Sequence, residues 1–166
     1  RFYCSNISPF FFIQPDIKLF QVYEDKFDDA IKRQNLNPAF NIFKVYLLRL
    51  DQRVAYARSL LKQDFDFTAK ESYHYDREDA QWAATEADLN AIWRQSVKND
   101  VLRLKLAGRS MDEIRVTLDK RYSNLSERVH QLRADDVFEN FMNAYGTSID
   151  PHTSYTNPLS PDNFNM

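Results

Sequence analysis

The chain has 166 residues with a formal net charge of -2, 43% hydrophobic and 14% aromatic residues, two glycines and one cysteine. That length suits one domain with a real core, and the apolar content excludes a disordered tail. Interspersed charges give no reason to invoke nucleic acid or an anionic membrane, and a lone Cys4 excludes an internal disulfide framework. With only Gly108 and Gly146, the chain lacks the tight turns of sheets and phosphate loops, so an all-α protein is expected.

Residues 1–15 carry aromatics interrupted by Pro9 and Pro15, and read as an irregular N-terminal arm laid on the surface or as a frayed end. They hold no basic region followed by a full apolar segment, and no run in the chain approaches membrane-spanning length. Asp16 is placed to cap a first helix in which Ile17, Phe20, Tyr23, Phe27 and Ile31 share a face, ending near Gln34. Asn37 and Pro38 then start the longest helix, because proline at the first helical position loses no needed hydrogen bond. Phe40, Phe43, Leu47, Leu50, Val54, Ala57 and Leu61 carry its stripe to about Lys62.

From 63 to 85 the periodicity breaks, leaving a long connector. Its rings, Tyr73, His74, Tyr75 and Trp82, either form a contact surface or cover the bundle core, the commoner fate of aromatics. Thr85 with Asp88 restarts helix. Residues 93–122, WRQSVKNDVLRLKLAGRSMDEIRVTLDKRY, predict a helical hairpin. Leu89, Ile92, Trp93, Val97, Val101, Leu102 and Leu104 form one stripe, and Gly108 supplies a left-handed C-cap. Ser110 with Glu113 makes a capping box for an arm lined by Met111, Ile114, Leu118 and Tyr122.

Leu125, Val129 and Leu132 either extend that arm or form a separate short helix. A last helix from Asp135 or Asp136 turns Val137, Phe138, Phe141, Met142 and Tyr145 inward, closed by Gly146. The expected architecture is a multi-helix bundle over 16–147 followed by an irregular joint over 148–166.

Candidate chemistry is sparse. His74, His130 and His152 fall in no metal-ligand spacing, and there is no HExxH, CxxC, glycine-rich loop or GxSxG. Glu71, His74 and Asp76 could in principle hold a metal through a loop, but metal sites normally show clearer ligand spacing, so neither metal nor cofactor is expected. In DPHTSY, Asp150 before Pro151 favours a turn whose carboxylate accepts backbone N–H bonds; His152 has no neighbouring nucleophile to activate.

SIDPHTSY, preceded by DVFENFMNAYGT, resembles the segment that ends the N-terminal helical domain of bacterial tail-specific, or carboxy-terminal processing, proteases. KFDDAI, RVAYARSLL, DFDFTAKESYHYDREDAQW and WRQSVKNDVLRLKLAG agree in order, so the resemblance covers most of the chain from about Asp16. It implies a serine endopeptidase of the Gram-negative periplasm or inner membrane, exported by a signal outside these residues. In that family a PDZ domain and a protease domain with a Ser/Lys dyad follow the helical domain, and substrates are recognised by apolar C-terminal tails.

The resemblance places no catalytic residue in this chain and implies that the helical domain alone is inactive. Its partners would be the downstream domains, substrate proteins and an adaptor. Asp150, Pro151, His152, Thr153 and Tyr155 would then form an interdomain hinge. The alternative is a free-standing helical interaction adaptor.

Overall fold

The computed structural model describes residues 9–33, 35–74, 77 and 80–156, with Asp25 and Asp28 described through their backbone alone. Its helices are α1 (Gln14–Gln21), α2 (Phe27–Lys32), α3 (Asn37–Leu60), α4 (Glu86–Leu106), α5 (Met111–His130) and α6 (Ala134–Ile149), with a 3-10 turn at Glu24–Lys26. The described residues contain no strand, only an isolated parallel bridge between Ile13 and Ala83. The expected all-α bundle is the observed fold. None of the described helices is long and apolar enough to cross a membrane.

The hairpin forms for the local reasons the sequence carries. Thr85 Oγ1 accepts the Asp88 N–H while Asp88 accepts the Thr85 N–H at 3.0 Å. Ser110 and Glu113 repeat that reciprocal pair at the start of α5. Between them Gly108 takes φ 82, the Gly108 N–H donates to Lys105 O and the Arg109 N–H donates to Leu104 O. Those two bonds occupy carbonyls that the end of α4 would otherwise leave open.

Helix α3 is the wall against which the rest packs. Its Leu50, Val54, Ala57 and Leu60 meet Leu89, Trp93, Val97 and Val101 of α4 and Ile114, Leu118 and Tyr122 of α5 in the larger core cluster. Its first half serves a second cluster, where Ala39 and Ile42 pack with Phe12, Phe20, Phe27 and Phe141. The predicted stripe therefore holds in the C-terminal half of α3. In the N-terminal half Phe40, Phe43 and Leu47 are only partly buried, because Ala39 and Ile42 face the aromatic cluster.

Three expectations about helix ends are corrected. The first helix is not continuous to Gln34: Tyr23 N–H donates to Phe20 O and Lys26 N–H to Tyr23 O, and these short i to i+3 closures break it while keeping Phe20 and Phe27 in one cluster. Asp16 is not its N-cap but lies in its first turn, where it accepts the Ile13 N–H at 3.1 Å and is held by Arg49. Finally, α6 runs through Gly146 to Ile149.

The described part of the N-terminal arm is neither laid on the surface nor frayed. Phe12 is 1% exposed, Gln14 N–H donates to Ala83 O at 2.8 Å, and Trp93 Nε1 donates to Phe10 O at 2.5 Å. Helix α5 is the extended version of the second arm, carrying Leu125 and Val129 to His130.

Two arginines of α3 tie these pieces to the wall. Arg49 donates through Nε and Nη2 to both oxygens of buried Asp16, at 2.9 and 3.0 Å. Arg53, 2% exposed, donates to Glu86 and Asn90 at the start of α4. Asp16→Ala leaves Arg49 facing a half-buried void and Ile13 N–H without its acceptor. It is expected to cost roughly 2–4 kcal/mol in urea unfolding, with Asp16→Asn recovering part of that loss.

Candidate functional site

Two regions bring together the residues singled out in the sequence. The first is the connector between α3 and α4. Phe65 and Phe67 pack against the larger core cluster with ring centroids 6.2 Å apart, and Lys105 Nζ sits 4.9 Å from the Phe67 ring centroid. Glu71 then pins the chain to α4, accepting from Arg94 Nη2 at 2.9 Å and Lys98 Nζ at 3.0 Å. Those bonds hold its carboxyl below the usual glutamate range.

Beneath this staple lies an open groove of about 310 Å³ lined by Phe67, Lys70, Glu71, Tyr73, Lys98 and Leu102, among others. Of the four rings proposed as a contact surface, Tyr73 lines this groove and His74 is exposed. Trp82 packs on the aromatic cluster, its ring centroid 6.5 Å from that of Phe12. Tyr75 lies outside the described residues, as does Asp76. The structure thus separates Trp82 from the groove that Tyr73 lines. Among the described residues no group of three or more His, Cys, Asp or Glu is placed to hold a metal.

The second region is the turn after α6. Asp150 accepts the His152 N–H at 3.0 Å and the Thr153 hydroxyl at 3.2 Å, as an aspartate before proline is expected to do. The chain then folds back along α6. Tyr155 N–H donates to Asn143 Oδ1 at 2.6 Å, Asn143 Nδ2 donates to Tyr155 O at 2.9 Å, and the Tyr155 ring meets Phe138 edge-on at 5.5 Å. Pro151 and His152 are exposed at the bend. Sequence reasoning misses Asn143, Phe138 and Gly146 as parts of this region, since nothing local to them signals their partners Tyr155 and Thr153 beyond the end of the helix.

A third feature lies where the C-terminal end of α5 and the inner face of α6 meet α3. An apolar cavity of about 260 Å³ there is lined by Ile42, Phe43, Tyr46, Leu132, Val137 and Phe141, among others. Burial pushes the Tyr46 phenol above its ordinary pKa. None of the sequence-predicted site residues lines it.

Comparison with known proteins decides the family. Residues 8–159 match the family described as Tail specific protease N-terminal domain. This chain belongs to that family. The tail-specific protease of Haemophilus influenzae (strain ATCC 51907 / DSM 11121 / KW20 / Rd) is 40% identical over 155 residues, covering 93% of this chain and 22% of the relative. The chain thus spans just under a quarter of the curated relative it matches. The match includes both regions above, so the connector and the turn after α6 belong to the tail-specific protease N-terminal domain itself.

The carboxylates of this domain predict its acid response. Glu71, Glu113, Asp66 and Asp119 are all held below their ordinary ranges by hydrogen bonds, from Arg94, Ser110, Thr68 and Arg58 respectively. A depressed folded-state pKa contributes stability above the unfolded value, lost as pH falls through the folded one. Melting temperature should therefore stay level down to about pH 5 and fall below it. Glu71→Gln should melt lower than wild type at pH 7, and the gap should close near pH 3, checked by circular dichroism melts across that range.

Proposed function

We propose that this chain is the non-catalytic helical body of a carboxy-terminal processing serine endopeptidase. The carrying observation is the 40% identity to a tail-specific protease of which the matched segment makes up 22%. In this reading a PDZ domain and a protease domain with a Ser/Lys dyad occupy other parts of the polypeptide and select proteins with apolar C-terminal tails. The setting is the periplasm or the inner-membrane surface of a Gram-negative cell.

The helical body then works by position. A hairpin closed by Gly108 and braced along α3 is a stiff object, suited to standing beside an active site and limiting which chains reach it. The groove holding Tyr73, with exposed His74 at its side, is the face we assign to docking of a substrate or adaptor. The turn after α6 is the joint toward the domains that follow.

The test compares the isolated 166-residue chain with the full-length polypeptide on a substrate ending in apolar residues and on the same substrate ending in acidic ones. Cleavage of the apolar-tailed substrate alone, by the full-length protein alone, is expected. Hydrolysis by the isolated chain would overturn the reading. So would a natural product no longer than this chain that binds a partner without cleaving it, which would make the protein an adaptor.

A further inference from the structure

We infer that residues 150–155 and the outer face of α6 form a clasp, locked by Asn143, that fixes the direction in which the polypeptide leaves the helical body. Three independent contacts close it. Asn143 uses both ends of its amide on the same residue, donating to Tyr155 O and accepting from Tyr155 N–H, so Tyr155 is held as a neighbouring strand would hold it. The Tyr155 ring lies against Phe138, five residues before Asn143 on α6. Thr153 lies so close to α6 that a Cβ built on Gly146 would fall 3.2 Å from its Cγ2.

Gly146 carries the argument furthest. It lies within the last turn of α6 and keeps a negative φ, so no left-handed turn explains it. Alanine there would favour the helix by about 1 kcal/mol if the helix were all that mattered. The close approach of Thr153 gives that position another purpose: the clasp seats on a helix surface without a side chain. The bend is set by Asp150, whose carboxylate gathers His152 N–H and the Thr153 hydroxyl. A stretch that looks like a flexible joint is thereby tied to α6 at its far end.

The clasp is independent of the protease reading, and its readout involves no proteolysis. The experiment is amide exchange by mass spectrometry on the full-length polypeptide, following the segment that contains Tyr155, with helix content as the folding control. In wild type that segment should exchange at least about tenfold slower than a free peptide of residues 150–156. Asn143→Ala should return it to within about twofold of the peptide rate while α4 and α5 keep their protection.

Gly146→Ala should do the same more weakly, even though it raises the intrinsic stability of α6. A nitroxide at Thr156→Cys, in a background cleared of every other cysteine including Cys4, should be immobilised, and should become mobile with Asn143→Ala. Exchange in wild type at the free-peptide rate, or a nitroxide already mobile before any clasp residue is changed, overturns the inference. Should Asn143→Ala fail to fold, the wild-type exchange rate and the Gly146→Ala response decide it.

Discussion

Everything in this domain leans on the burial of α3. A helix of 24 residues that must satisfy two clusters cannot show one clean stripe: its C-terminal half turns Leu50, Val54, Ala57 and Leu60 toward the hairpin, and its N-terminal half turns Ala39 and Ile42 toward the aromatic cluster. Once α3 is fixed, the remaining elements have little choice. The hairpin needs a surface for α4 and α5 together, α6 needs the aromatic cluster, and the N-terminal segment threads to where Phe12 can reach Phe20 and Trp82.

The polar contacts along α3 set alignment more than they add stability. Arg53 is nearly buried with its Nε left without a partner, and burial pulls its pKa down against the opposing pull of Glu86. A buried charge of that kind is costly, and its best-attested use is to specify which groups meet. Arg53 meets the first turn of α4 and Arg49 meets the first turn of α1, so each arginine sets where a neighbouring helix begins. Arg115 does the converse from α5, donating to Leu61 O and so filling a carbonyl at the end of α3.

What could be read from the sequence follows the range of the forces involved. The capping pairs Thr85 with Asp88 and Ser110 with Glu113, and the turn at Gly108, act within a few residues and were legible at once. The hairpin stripe was legible because its core positions repeat along each helix. The N-terminal segment was misjudged because the groups that hold it, Ala83 and Trp93 among them, lie seventy or more residues away. The role of Gly146 was misjudged for the same kind of reason: a glycine near a helix end suggests a stop, and only Thr153 packed against it reveals a close approach. At the candidate site, the Asp150 turn was local and visible, while Asn143 was hidden in an ordinary helical stretch. The family, in contrast, was legible from several ordered blocks spread over the chain.

The two tryptophans fall on opposite sides of the division between clusters. Trp93 sits among Phe10, Phe11 and Tyr122 in the hairpin core, while Trp82 packs on the aromatic cluster beside Phe12. The domain therefore carries two tryptophan emitters, one for each half of its interior, which red-edge excitation separates from the nine tyrosines. Replacing either ring by phenylalanine leaves a single tryptophan, so the order in which the two halves loosen during unfolding can be followed optically without attaching any dye.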